Sequence, residues 1–300
     1  MAYDFFWSSD KSERNIYEYN LDDYKNVDPK LIQYSELYNF SIDIEKPKGI
    51  AVDNKNNIYV AGTNKIQVFN PDGKFINEIV TKTPARCIII DDNKQIYIGA
   101  EDHVEIWDTG GNLINSWDKI NDKSLITSIA IGDSSVFISD AGNKLVYRYN
   151  LKGELLNEIG RKDSVVGIQG FIIPSPFFDI AIGRDGELWA VNSGRHQFEA
   201  YNHDGRLISS WKKTSMQLDG FSGCCNPSHI VILPDGSFCT SEKGIVRIKI
   251  HDPSGKFKSV VATPDQFDKG TTGLDLAIDS DGRIIVLDPK RNQVRIFVKK

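Results

Sequence analysis

The amino-acid sequence predicts an all-β fold, a six-bladed β-propeller with four-stranded antiparallel blades. A phrase made of an apolar run, a Gly-rich turn and further short strands occurs six times, first as PKGIAVDNKNNIYVAGTNKIQVFNPDGKFINEI from Pro47. Equivalent positions in successive units lie 38 to 51 residues apart, close to the roughly 40 to 50 residues of a propeller blade. Each unit lacks helical periodicity, which excludes solenoids of paired helices.

The strands of each unit are predicted from their apolar patterns. The first strand, as in IAVD, IIID, IAIG, IVIL and LAID, is apolar at consecutive positions, which is typical of an innermost strand covered on both faces by neighbouring blades. The second and third strands alternate more clearly. The third and fourth strands are joined by turns such as NPDGK and DPSGK, where Gly supplies the positive φ that tight hairpins need.

The two ends of the chain are predicted to close the ring. The last unit stops after its third strand, QVRIFVKK, whereas LIQYSELYNF from Leu31 matches an outer strand. Pairing the two would remove an exposed sheet edge. We therefore expect an extension over residues 1–27 that wraps outside, and a single propeller domain over residues 28–300.

The composition limits the possible partners. The net charge is -5 and Lys and Arg are spread through the blades, so we expect no nucleic-acid binding. No apolar stretch reaches the ~20 residues that span a bilayer, and we expect a monomer without a transmembrane segment. The four cysteines are too few for a disulfide scaffold and match neither a zinc ribbon nor a thioredoxin motif.

The candidate site lies where the first strands begin. In a propeller, the loops that enter the inner strands and the loops that join second to third strands emerge on one face, around the channel mouth. The aligned entry positions, called the inner ring here, are Gly49, Cys87, Ser128, Asp179, His229 and Asp275. A second tier on the same face is predicted to contain Glu101, His103, Asp140, Asn192, Arg195, His196, Glu242, Lys243 and Asp288. By contrast, His203 and His251 are predicted to be solvent-exposed turn residues near the opposite face.

Three inner-ring residues are candidate metal ligands. Asp179, His229 and Asp275 belong to consecutive blades, and zinc accepts His nitrogen and carboxylate oxygen at about 2.0 to 2.2 Å, with a cysteine thiolate as a further ligand. The first hypothesis is that these residues bind a divalent transition metal such as zinc. The alternative is that these polar groups cap buried strands and hydrate a water-filled channel.

Three cysteines are predicted to face the same opening. Cys87 lies in the inner ring, and Cys224 and Cys225 come just before His229. They would bind a soft metal, form a redox-active disulfide, or act as a nucleophile if Arg86, Arg195 or Lys243 lowers a thiol pKa. The alternative is a structural disulfide or inert buried thiols. Cys239 is predicted to belong to the core.

The remaining second-tier residues are candidates for ligand binding and catalysis. Glu242 and Asp140 are candidate acid and base groups, with Asp288 as a further carboxylate. Arg195 and His196 are candidates to bind an anionic group, and the alternative is that they pair with surrounding acids. The full predicted ligand-binding set is Cys87, Ser128, Asn192, Arg195, His196, Cys224, Cys225, Glu242, Lys243 and Asp288.

The chain from about Leu31 resembles the NHL-repeat family of six-bladed propellers. The resemblance is carried by PKGIAVD, IYVA, NKIQVF and DAGNK, and the segments GCCNPSH, TSEKG and NSGRHQFEAYN resemble a bacterial, exported branch of that family. This branch implies an extracytoplasmic protein, periplasmic or membrane-anchored, whose export signal is missing ahead of Met1-Ala2. The family includes binding proteins and enzymes alike, so the resemblance implies a fold more strongly than an activity.

Three functions follow as hypotheses. The first is a binding propeller that holds a small ligand, a transition metal or a partner's segment at the channel mouth. The second is a metal-dependent hydrolase or lyase in which Glu242 or Asp140 moves the proton. The third is a metal-free protein-interaction scaffold. The amidating lyases offer a zinc template with several histidines, and the gluconolactonase and paraoxonase propellers a calcium template with Glu, Asn and Asp. This inner ring, with one His, one Cys and two Asp, matches neither.

Overall fold

Six four-stranded sheets form the protein in a computed structural model that describes residues 21–132, 134–163, 169–223 and 225–300. Every sheet is antiparallel, and five of them follow the chain in simple order from inner to outer strand. The sixth combines the last three strands with the first one. The predicted six-bladed propeller is therefore confirmed.

The first three blades, with the closing strand ahead of them, have the following bounds. The chain begins with β1 (Tyr34–Ser41), and blade one contains β2 (Gly49–Val52), β3 (Ile58–Ala61), β4 (Lys65–Phe69) and β5 (Phe75–Val80). Blade two contains β6 (Cys87–Ile90), β7 (Ile96–Gly99), β8 (Val104–Trp107) and β9 (Leu113–Ser116). Blade three contains β10 (Ile126–Ile131), β11 (Ser135–Asp140), β12 (Leu145–Asn150) and β13 (Leu155–Ile159).

The last three blades complete the ring. Blade four contains β14 (Ile180–Ile182), β15 (Leu188–Asn192), β16 (Gln197–Tyr201) and β17 (Leu207–Lys212). Blade five contains β18 (His229–Ile232), β19 (Phe238–Ser241), β20 (Ile248–His251) and β21 (Phe257–Ala262). Blade six contains β22 (Asp275–Ile278), β23 (Ile284–Asp288), β24 (Gln293–Lys299) and, as its outer strand, β1.

Helical structure in the described residues is limited to short 3-10 turns. They span Leu21–Tyr24, Pro29–Leu31, Ser193–Arg195 and Pro264–Gln266. Across the described residues, no helix combines the length and the apolar character needed to traverse a bilayer.

The core lies between neighbouring blades. Blade six packs Ile285 and Leu287 against Ile58 and Val60 of blade one, and all four side chains are almost completely buried. Burial of such branched aliphatic side chains stabilises the fold by about 1.5–3 kcal/mol each. The innermost packing also depends on small residues, because a Cβ on Gly99 would lie only 2.4 Å from Sγ of Cys87.

The ring closes as the sequence predicts. Strand β1 pairs with β24 from Tyr34 opposite Lys299 to Ser41 opposite Gln293. Ile32, just before β1, forms a parallel bridge with Val260 at the outer edge of blade five. Residues 1–20 of the predicted extension lie outside the described residues, and the domain boundary at residue 28 stays a prediction.

Candidate functional site

The six first strands surround a central channel with a cavity of about 320 Å³. Four inner-ring residues line it, namely Cys87, Ser128, Asp179 and Asp275. Of the other two, His229 lines a separate cavity of about 90 Å³ at the end of the channel where the inner strands begin, and Gly49 lines neither cavity. We call this second cavity the mouth cavity. The structure therefore gathers the inner ring around one axis but divides it between two spaces.

The two inner-ring carboxylates bind backbone amides of neighbouring blades. Asp179 accepts a hydrogen bond from the backbone N–H of Ile230 at 2.7 Å, which joins blade four to blade five. Asp275 accepts one from the backbone N–H of Ile50 at 2.8 Å, which joins blade six to blade one. Each carboxylate also accepts from the next residue of its own strand. These carboxylates connect blades, in agreement with the alternative that polar groups cap the inner strands.

Their environment favours the protonated form. Burial raises the pKa of Asp179 above its usual value. Burial also raises the pKa of Asp275, and the negative charge of Asp179 raises it further. Two like charges that face one channel disfavour each other's ionisation. The channel therefore retains protons that the same carboxyls would lose in water.

The predicted metal ligands do not come together as a metal site. Among the described residues, no group of three or more His, Cys, Asp or Glu side chains is placed to hold a metal ion. The oxygens of Asp179 and Asp275 accept hydrogen bonds from backbone amides, whereas His229 lies in the mouth cavity. This donor set does not fit zinc, which needs its ligands converging at about 2 Å.

The mouth cavity has an apolar wall and several polar groups. Its lining residues are Pro47, Lys48, Arg86, Thr127, Pro176, Phe177, His229, Thr272, Gly273 and Pro289. Nε of Arg86 and Nδ1 of His229 are buried, and neither has a hydrogen-bond partner among the described residues. Buried polar groups are nearly always paired in folded proteins. The mouth cavity thus differs from the channel in that two of its lining residues each have a buried nitrogen without a hydrogen-bond partner among the described residues.

Positive groups dominate the electrostatics of the mouth cavity. Burial lowers the pKa of Lys48, and the charge of Arg86 lowers it further. Burial lowers the pKa of His229 to about 4, with additional effects from Lys48 and Lys243. His229 is therefore a neutral imidazole at pH 7.

Lys243, a predicted ligand-binding residue, lies next to this cavity. Its Nζ donates to Oγ of Ser175 at 3.2 Å and lies 4.5 Å from the centre of the Phe177 ring. The Phe177 ring in turn meets the His229 ring edge-on, with 5.6 Å between centroids. The loop before blade four thus brings an aromatic side chain between a cation and the imidazole.

The cysteines differ in position. Cys87 is buried in the channel wall, and burial raises the pKa of its thiol. Cys239 is in the hydrophobic core, as predicted, and burial raises its pKa too. Cys225 is buried, and Cys224 lies outside the described residues. Because the thiolate is the reactive form, the environment of Cys87 makes it a poor nucleophile.

Three second-tier residues are engaged in the fold. Asp140 accepts hydrogen bonds from the backbone N–H groups of Leu125, Gly142 and Asn143. Asn192 accepts from Ile172 N–H and donates to Glu199. Asp288 is fully buried and accepts from two amides of the turn that follows it. These contacts stabilise the loops at the mouth end of their blades.

Glu242 belongs to a buried ionic cluster in blade five. Its Oε1 lies 2.8 Å from Nε of Arg247 and 2.8 Å from Nζ of Lys249. Both cations also donate to backbone carbonyls of residues 217–220. The sequence pattern did not predict this cluster, although the alternation in VRIKIH places Arg247, just before β20, on the same face as Lys249 and His251 of that strand.

The prediction for His251 was wrong. Its side chain is fully buried and lies against the rings of Trp211 and Phe221, and burial lowers its pKa to about 3. The reason is the segment between blades four and five, which covers this face of β20. The position of His251 in the repeat resembles a turn, and the repeat pattern does not indicate that a connecting segment covers it.

Arg195 and His196 lie away from the mouth cavity. Arg195 lines a groove beside Tyr201 and Glu158. The ring nitrogens of His196 contact Thr214 Oγ1 and the backbone carbonyl of Gly223.

Two other residues of the mouth cavity, Lys48 and Phe177, were not predicted from the sequence. Each stands shortly before an inner strand, in PKGIAV and PFFDI.

Comparisons with known proteins agree with the fold. A family model described as the SMP-30/Gluconolactonase/LRE-like region matches residues 3–102, about a third of the chain. A crystal structure of virginiamycin B lyase from Staphylococcus aureus superimposes with a TM-score of 0.62 and 15% identity, covering 89% of this chain and 100% of that chain. A streptogramin B lyase structure superimposes with a TM-score of 0.61 and 14% identity, covering 89% of this chain and 97% of that chain. None of the curated proteins matches. At such identities, the likeness shows the propeller fold alone.

Proposed function

We propose that this propeller is a binding protein for a small molecule, which it holds at the mouth cavity. The observation that carries the proposal is that two residues lining this one cavity, Arg86 and His229, each have a buried nitrogen, Nε and Nδ1, without a hydrogen-bond partner among the described residues. Leaving a buried polar group unpaired costs about 1–3 kcal/mol. A ligand that pairs with both groups recovers that cost.

The lining suits an organic ligand. Phe177 offers an aromatic surface and three prolines add apolar wall, while polar groups are few and convergent, as is typical of small-molecule sites. The cavity of about 90 Å³ is below the ~300–1,000 Å³ of most complete ligand sites. It therefore accepts one group of the ligand, and the remainder lies outside the cavity.

The open mouth favours this function over a metal-free interaction scaffold. A scaffold would present a mouth filled by side chains, whereas here the mouth cavity and the channel cavity are both open. A metal-dependent site has less support, because the candidate ligands do not converge among the described residues.

Thermal unfolding in the presence of a library of small organic molecules tests the proposal. A ligand at ~100 times its Kd stabilises the folded state by about 2.7 kcal/mol, which raises Tm measurably. The shift should disappear in Phe177→Ala and His229→Asn and persist in the control His203→Ala, which changes a histidine of the opposite face. Ligands whose shifts survive both site substitutions bind elsewhere, and that result would remove the proposal.

A second candidate is an enzyme that uses His229 as a general base. The neutral imidazole of His229 has an unpaired Nδ1 that can accept a proton, and the cationic groups beside it would stabilise a developing oxyanion. Two structural neighbours are described as lyases, so lyase activity occurs on this fold. Mass spectrometry of a bound ligand incubated with the protein tests this role. Turnover that His229→Asn abolishes without loss of binding supports an enzyme, and an unchanged ligand supports a binding protein.

A further inference from the structure

We infer that the group of the ligand that enters the mouth cavity is an oxyacid, a carboxylate or a phosphate, held between Lys48 and Arg86. This inference rests on the site proposed above and adds the chemical class of what it binds. The positive side chains of Lys48 and Arg86 both line the mouth cavity, and no negative side chain of the described residues does so.

The cations of the mouth cavity are not neutralised by the protein. In the described part of the chain, no Asp or Glu oxygen lies within 4.0 Å of a side-chain nitrogen of Lys48, Arg86 or Lys243. Elsewhere in the described residues, buried cations have such partners, as Arg295 has with Glu36 and Lys249 with Glu242. The two cations that line the mouth cavity, exposed Lys48 and half-buried Arg86, therefore have no acidic counterion among the described residues.

The nearest inner-ring carboxylates are committed to other contacts. Asp179 and Asp275 each accept two backbone hydrogen bonds in the channel, so their oxygens connect blades. The charge of Arg86 disfavours the charged form of Lys48, and the charges of Lys48 and Lys243 disfavour the charged form of His229. A bound anion relieves this repulsion, because an opposite charge within ~4–6 Å stabilises each cation.

The available donors match an oxyacid. Arg86 contributes an unpaired Nε on a planar guanidinium, which binds carboxylate and phosphate oxygens as a two-pronged fork. Lys48 adds a mobile ammonium group. Nδ1 of His229 donates a further hydrogen bond in the tautomer that carries its proton there. The space of about 90 Å³ accommodates an acid group.

Calorimetric titrations with inorganic phosphate and with acetate, at constant ionic strength, test the inference. We expect saturable binding of at least one of the two anions to the wild-type protein. Binding should weaken by at least about tenfold in the double variant Lys48→Gln/Arg86→Gln, because charge-assisted hydrogen bonds are lost. Arg86→Lys, which retains charge without the fork, should give an intermediate loss. Lys82→Gln removes an exposed lysine of the same inter-blade loop and is the matched control.

The outcomes separate the two anions and the two proposals. Preference for phosphate or for acetate identifies the oxyacid. Absence of saturable binding of both anions, or binding that the double variant retains at full strength, overturns the inference. A neutral organic molecule that depends on Phe177 and His229 but not on Lys48 or Arg86 would preserve the binding function and remove only the acid group. Far-ultraviolet circular dichroism and Tm confirm that each variant is folded.

Discussion

The carboxylate of Asp275 on the last blade accepts a hydrogen bond from the backbone N–H of Ile50 on the first blade, at 2.8 Å. The ring is therefore closed twice, at its inner wall by this contact and at its outer edge by the pairing of β1 with β24. Asp179 makes the corresponding contact with Ile230 between blades four and five. Residues predicted as metal ligands thus fasten neighbouring blades to each other.

Replacing Asp275 should destabilise the ring according to whether an acceptor remains. Asp275→Ala leaves the Ile50 N–H without its partner, and we expect a loss of about 1–3 kcal/mol in the free energy of unfolding. Asp275→Asn keeps an acceptor oxygen for this N–H, so its loss should be smaller. Urea unfolding at pH 7 measures both, with the exposed Asp92→Ala as control. Equal losses in the two Asp275 variants would contradict this role.

Removing Glu242 should be more damaging than removing a surface carboxylate. Glu242→Gln leaves two buried cations, Arg247 and Lys249, without their negative partner, and breaking a buried pair costs about 3–5 kcal/mol. Glu45→Gln removes a carboxylate from an exposed pair with Lys46 and should change stability by less than about 1 kcal/mol.

A second variant separates charge from packing in this cluster. Glu242→Gln/Lys249→Met removes one uncompensated cation as well, so it should recover part of the stability that Glu242→Gln loses. If the loss of stability of the double variant relative to the wild type equals the sum of the losses of Glu242→Gln and Lys249→Met alone, Glu242 and Lys249 do not interact.

Buried His251 should make the fold sensitive to acid. Its pKa of about 3 lies below the ordinary value of about 6.5 that it has in the unfolded chain, so the unfolded chain binds more protons between these values. Stability should therefore fall as the pH decreases from about 6.5 to 3. His251→Phe, which keeps an aromatic ring among Trp211 and Phe221, should flatten this part of the pH profile of Tm. His203→Phe is the control, and an unchanged slope in His251→Phe would assign the acid sensitivity to other groups.

The repeat pattern predicted the blades because each first strand has to be apolar on both faces, and this requirement is written in consecutive letters such as IAVD and LAID. The same alignment placed Cys87, Ser128, Asp179 and Asp275 around the channel. It could not show where their side chains point. Asp179 and Asp275 turn towards backbone amides of the next blade, and such a contact depends on the twist between blades, which no local pattern records.

The mouth cavity could not be predicted from the sequence, because several of its lining residues lie outside the aligned positions of the repeat. Lys48 lies one residue and Phe177 three residues before their inner strands, in loops that differ from blade to blade. Their convergence with His229 follows from ring closure and from the length of the loop before blade four. The burial of His251 similarly follows from the connecting segment between blades four and five, residues 213–228.

The thiol of Cys87 should be unreactive in the folded protein. It is buried in the channel wall and burial raises its pKa, so both access and thiolate formation are suppressed. In a Cys224→Ser/Cys225→Ser background, the remaining thiols are Cys87 and Cys239, both buried. We expect a disulfide reagent at pH 8 to label neither thiol of the folded chain within minutes, and both after unfolding in guanidinium. Adding Asp92→Cys supplies an exposed thiol that should react at once. Rapid labelling of one thiol without that addition would mean that reagent enters the channel, and the nucleophile hypothesis for Cys87 would regain support.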